Sequence, residues 1–192
     1  GEIFKPPYLR NALVATFMNA GTMFAWWGFF TWIPSYLKLP PEQGGAGLTV
    51  LNSSLWIIVL TVGQWLGYVS FGFIADAIGR KRTYVIFVLA ASVLLPLYGV
   101  LSEPVVLLLL GPLVAFFGTG YYSGFGAVIA ELYPTAVRAT AAGVCYNTGR
   151  IASAAAPFIV GSVGAARGFG AAFAIAGAAF LLAAIMWIWI PE

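Results

Sequence analysis

Long apolar runs separated by short polar breaks set the plan of this 192-residue chain. A helix needs about 20 consecutive apolar residues to match the hydrocarbon thickness of a bilayer. Six runs meet that length, at about 11–36, 49–75, 83–101, 105–130, 139–163 and 170–190. The breaks hold turn formers and charges: Pro40-Pro41 with Gly44-Gly45, the charged stretch ending at Arg82, Ser102-Glu103-Pro104, the stretch from Glu131 to Arg138, and Arg167. The pattern predicts an all-α membrane protein of six transmembrane helices. Composition fits, with 61% hydrophobic and 8% charged residues against about 25% charged in a soluble domain.

Charge orients the bundle. Residues 1–10, with Lys5 and Arg10 around Pro6-Pro7, read as a linker, and 11–192 as the transmembrane bundle. With the N-terminus inside, Lys5, Arg10, Arg80, Lys81, Arg82 and Arg138 are cytoplasmic, and Lys38 and Arg167 external. Short cytoplasmic loops retain Lys and Arg, so both termini are expected inside. The net charge of +3 is accounted for by membrane orientation, without a nucleic-acid partner. Histidine is absent and Cys145 is the one cysteine, which excludes a disulfide within the chain and argues against a metal site; no cofactor is expected. No nucleophile, base and oxyanion set is visible, so an enzyme is not expected. Gly1 in place of Met suggests part of a longer polypeptide, or a processed one.

Six spans divide into two groups of three that cross the membrane in opposite senses. Gly21-Thr22 with Trp26-Trp27 in the first span faintly echoes Gly118-Thr119 with Tyr121-Tyr122 in the fourth, as a 3+3 inverted repeat of transporter type would.

Arg150 is the leading candidate for chemistry. It lies twelve positions past Arg138, hence ~15 Å into the bilayer along a helix. A cation at that depth costs about 2.5–3.5 kcal/mol on insertion scales and marks a functional candidate. No Asp or Glu lies at midmembrane depth. Two readings stand: Arg150 binds an anionic ligand, or it snorkels toward the cytoplasm and pairs with Glu131 or a carboxylate elsewhere. Asn19, Gln64, Asn147, Tyr121, Tyr122, Trp26 and Trp27 are the accompanying cavity candidates, although helix packing could satisfy each singly. Together, aromatics and a few donors around one cation suit a small carboxylate with an apolar body. Asp76, Arg80, Glu131 and Arg138 border cytoplasmic helix ends. They could form ion pairs that open during a transport cycle, or serve orientation and solubility alone.

Gly72, Asp76, Gly79, Arg80, Lys81 and Arg82, set between two spans, resemble the signature loop of the major facilitator superfamily. Glu131-x-x-Pro134-x-x-x-Arg138 is similar to the cytoplasmic motif after the tenth helix of sugar porters and related organic-acid symporters. Pro191-Glu192 resembles the start of their terminal motif. The resemblance implies the C-terminal six-helix half of a twelve-helix transporter, with an N-terminal half as its partner and the substrate held between halves. The first span lacks the Gln-Gln-x-x-Gly-x-Asn pattern of sugar porters. Asn147-x-x-Gly149-Arg150 is similar to bacterial metabolite:proton symporters for sialate, aromatic acids or monocarboxylates. That implies a secondary active transporter in a bacterial inner membrane, moving a small organic acid by alternating access with a proton as coupling ion. A sugar or polyol:proton symporter is the alternative. A non-transporting receptor or scaffold on the same fold is the alternative of another class.

Overall fold

The computed structural model describes residues 3, 5, 6 and 8–189, the side chain of residue 152 excepted; Pro7 and the Pro191-Glu192 ending lie outside them. Among the described residues the elements are α1 (Tyr8–Lys38), α2 (Val50–Ile78), α3 (Arg80–Val100), α4 (Pro104–Leu132), α5 (Thr135–Ala154), α6 (Ala156–Arg167) and α7 (Phe169–Met186), with no strand. Helices α2, α3, α4 and α7, and α5 with α6 as one segment, are long and apolar enough to cross a membrane. Helix α1 has the length, but its mean hydropathy is lowered by Asn11, Asn19 and a run of aromatic and hydroxyl residues. The protein is thus a multi-pass integral membrane bundle. Large apolar side chains, among them Phe73, Leu109, Ile151 and Phe158, point outward, where charged groups would be costly in lipid.

Local chemistry sets the boundaries. The Thr49 side chain caps α2 by accepting from the Asn52 backbone N–H at 3.3 Å, so Thr49 precedes the helix rather than beginning it. The charged stretch is less of a loop than its sequence suggests. Gly72 to Ile78 finish α2 and Arg80 to Arg82 begin α3, leaving Gly79 alone between them. Gly79 takes φ 94°, a conformation that side chains disfavour. At the N-terminus α1 starts at Tyr8, three residues before the expected first span. The expected fifth span is broken at Ala155 into α5 and α6. Pro157 cannot donate to the Ser153 carbonyl, and its ring crowds that turn, which bends the helix.

The helix pairings reveal an internal symmetry. Helix α2 packs along α4, and α5 with α6 packs along α1; α1 lies on α7, α4 on α3, and α3 on α7. Exchanging the first three spans with the last three maps these pairings onto one another, as an inverted repeat demands. Thr22 and Thr119 occupy matching places. Both are buried, and each hydroxyl donates to the carbonyl four residues back, at 3.1 and 2.7 Å. The α2–α4 contact is tight because Gly63 and Gly67 press on the backbones of Pro112 and Phe116, leaving no room for a Cβ. Small residues permit such approach where lipid offers no hydrophobic drive for helix association.

Candidate functional site

Helices α1, α2, α4, α5 and α6 surround a cavity of about 720 Å³ that is open along one side. Helix α1 contributes Met23, Trp26, Trp27 and Phe30, one face of two turns; α2 contributes Gln64 and Tyr68, and α4 contributes Tyr122. Tyr146, Arg150, Ser153 and Ala154 from α5 and Pro157 from α6 complete it. Arg150 is the one charged side chain among these, and its guanidinium lies 5.9 Å from the Tyr146 ring centroid. A planar cation over an aromatic face is held in orientation while its N–H groups stay available at the edge.

The aromatic wall is ordered by ring contacts. Trp26 stacks on Phe30 at 5.4 Å, and Trp27 meets Phe30 edge-on at 6.5 Å. Tyr122 stacks on Tyr121 at 4.5 Å and tilts against Tyr68 at 6.5 Å. Gln64 Nε2 donates to the Tyr68 hydroxyl at 3.4 Å, and the Ser153 hydroxyl donates to the Arg150 carbonyl at 2.8 Å.

Of the eight expected cavity residues, Arg150, Gln64, Tyr122, Trp26 and Trp27 meet here and three do not. Asn19 is 1% exposed and its amide donates to the Cys145 and Tyr146 carbonyls at 3.2 and 3.3 Å, tying α1 to α5. Tyr121 stands behind Tyr122, buried against Tyr84 and Phe180. Asn147 lies off the cavity and donates to the Gly143 carbonyl of its own helix at 2.8 Å. Phe30, Tyr68, Tyr146, Ser153 and Pro157 were not singled out from the sequence. Each sits three, four or seven residues from one that was: Phe30 from Trp26, Tyr68 from Gln64, and the last three from Arg150. Helical spacing was therefore the available signal.

At one end of the bundle a second cavity, about 770 Å³, is lined by Asn11, Asp76, Arg80, Lys81, Arg82, Glu131 and Trp187, among others. Arg80 Nε meets Glu131 Oε1 at 3.0 Å, joining the start of α3 to the end of α4 with both side chains well exposed. Arg138 closes the α4–α5 turn by donating to the Tyr133 carbonyl at 3.3 Å. Burial raises the Tyr133 phenol above its ordinary range, which keeps it neutral. Asp76 lines the same cavity as Arg80 and Glu131, whereas Arg138 does not. The start of α1 and the turn that follows α7 meet at this end, where Arg10 Nη2 donates to the Trp189 carbonyl at 2.8 Å.

A sequence profile of the Major Facilitator Superfamily matches residues 15–192. The chain belongs to that superfamily. It is 37% identical over 170 residues to a Haemophilus influenzae protein named for metabolite transport, covering 88% of this chain and 40% of that protein. It is 29% identical over 185 residues to the cis,cis-muconate transport protein of Acinetobacter baylyi, covering 96% of this chain and 44% of the relative. The chain thus spans less than half the length of either. These relatives are transport proteins, not enzymes. The fold matches that of the peptide transporter POT with a TM-score of 0.78 at 18% identity, over 93% of this chain and 38% of the other. This major facilitator chain therefore has the architecture of a six-helix half of such a transporter.

Proposed function

We propose that this chain is the C-terminal half of a secondary active transporter for a small organic acid, working with an N-terminal half by alternating access. The observation that carries the reading is the cavity's charge: Arg150 faces it with no carboxylate among the described lining residues. A guanidinium in a wall of rings favours a carboxylate, which it can grip with two parallel hydrogen bonds. Trp26, Trp27, Gln64 and Tyr122 would shape the pocket around the substrate's body. Asn19, Tyr121 and Asn147 would act through packing, since their polar atoms are engaged elsewhere or turned away. The relative named for cis,cis-muconate, itself a carboxylate, supports this substrate class.

Arg80 and Glu131, with Asp76 nearby, would close the cytoplasmic side and separate as it opens; Arg138 would hold the adjoining turn. The concentration of Arg and Lys at that end supports a cytoplasmic location for it and for both termini. As location we propose a bacterial inner membrane, and as coupling ion a proton, with its titrating carboxylate contributed from outside this cavity wall.

The test is uptake by the intact protein reconstituted into sealed vesicles with a pH gradient. Carboxylate accumulation that collapses with the gradient and is lost in Arg150→Gln is expected. Uptake of a neutral sugar, unchanged in that variant, would favour the sugar or polyol alternative. Ligand binding without passage of any solute would favour a receptor.

A further inference from the structure

Between the two cavities runs a file of polar atoms that neither cavity accounts for. Tyr122 lines the Arg150 cavity, and Trp187 lines the charged one. The rings between them are continuous: Tyr122 on Tyr121 at 4.5 Å, Tyr121 on Tyr84 at 5.5 Å, and Tyr84 on Trp187 at 4.8 Å. They come from α4, from α3 and from the turn after α7. Each carries a polar tip. The Tyr122, Tyr121 and Tyr84 hydroxyls and the Trp187 indole N–H are all buried without a hydrogen-bond partner among the described residues. Thr22 on α1 is the polar neighbour that Tyr84 and Tyr121 share. Its proton is directed to the Met18 and Asn19 carbonyls, at 3.1 Å each, which leaves its lone pairs to accept.

Packing alone would be served by phenylalanine, which fills neighbouring buried positions at Phe87 and Phe180. Phenol hydroxyls kept dry in the same place would be costly. Buried water removes that cost, since one water makes about three hydrogen bonds to otherwise unpaired groups. Hydroxyls both donate and accept. A file of hydroxyls and water can therefore pass a proton along: each oxygen accepts one proton and releases another, and every phenol ends neutral.

We propose that Thr22, Tyr84, Tyr121 and Tyr122 hold ordered water and form a proton path from the Arg150 cavity to the charged cavity. The proton enters at Tyr122 and leaves toward Asp76 or Glu131, which share their cavity with Arg80, Lys81 and Arg82. Substrate and proton then reach the cytoplasmic side through different parts of the bundle. The path deepens the proton-coupled reading and rests on it, whereas the hydration of the four hydroxyls does not.

Two measurements on the intact protein test it. X-ray hydroxyl-radical footprinting oxidises buried side chains that touch water. Tyr84 and Tyr121 should be modified while Phe87 and Phe173, equally buried, stay protected; protection of both tyrosines overturns the proposal. In sealed vesicles with a pH gradient, the wild-type protein should accumulate cis,cis-muconate. Tyr84→Phe should lose that accumulation yet still exchange labelled for unlabelled muconate, which needs no net proton movement. Tyr121→Phe makes the same comparison if Tyr84→Phe fails to fold. Accumulation retained in both variants overturns the path and leaves proton coupling standing. Exchange lost along with accumulation in both reduces the tyrosines to packing and overturns the path as well. Wild-type protein that exchanges muconate without accumulating it overturns the proton reading and this inference with it. Should the wild type not carry muconate, the footprint decides alone, because without water the hydroxyls form no path.

Discussion

The cavity around Arg150 and the cavity at the charged end differ little in volume, about 720 against 770 Å³, yet their walls could hardly differ more. The first offers one cation, several rings and no carboxylate among its described lining residues. The second offers Asp76, Arg80, Lys81, Arg82 and Glu131 within one rim. In the first, the charge lacks a carboxylate in its own wall and invites an anion. In the second, charges of both signs already face one another, and Arg80 with Glu131 forms a contact that can be made and broken. Size alone would rank the two cavities together. Charge balance separates a binding surface from a closing surface.

The largest way to break this contrast is at Arg150. Arg150→Gln should weaken carboxylate binding at least ~100-fold, since it removes two charge-assisted hydrogen bonds, while Glu131→Gln should leave binding unchanged. Ligand-induced thermal stabilisation of the intact protein reads both. Next comes the frame that holds the binding wall. Gly67→Leu drives a side chain into the Phe116 backbone and should cost about 1–3 kcal/mol or more by overpacking. Gly72→Leu, where no atom lies within 4 Å of a new Cβ, should be nearly neutral, and the midpoints of thermal unfolding in detergent compare the pair. A smaller effect is expected at the bend. Trp32 Nε1 donates to the Pro157 carbonyl at 2.8 Å, so Trp32→Phe should cost about 1 kcal/mol in the same unfolding assay. Smallest is Glu131→Gln, at about 0–1 kcal/mol of stability because the pair is exposed. Its signature should instead be faster labelling of a cysteine placed near Asp76, as the charged end opens more readily.

Most of the fold was legible because bilayer thickness and charge leave few arrangements for such a sequence. The six apolar runs, the Gly79 signature and the inverted repeat could all be read from it. The break at Ala155 was harder to read, because Pro157 lies inside a run whose hydropathy continues through it. The site was half legible. Residue type pointed to Arg150, Gln64 and the tryptophans, but type says nothing of which way a side chain turns. Asn19 looked like a cavity amide, yet Gly149 lets α1 approach α5 closely enough for that amide to be spent on backbone carbonyls. Adjacent tyrosines looked equivalent, yet 100° of helical rotation sends Tyr121 into the core and leaves Tyr122 on the cavity. The partners Tyr68 and Tyr146 needed the helical spacing to be applied to residues already chosen.

The central claim, that Arg150 receives a substrate carboxylate, is met most directly by a structure of the intact protein with benzoate bound. The account predicts both carboxylate oxygens within about 2.7–2.9 Å of the Arg150 guanidinium nitrogens. A guanidinium paired instead with a protein carboxylate, and the ligand seated away from it, would contradict the claim.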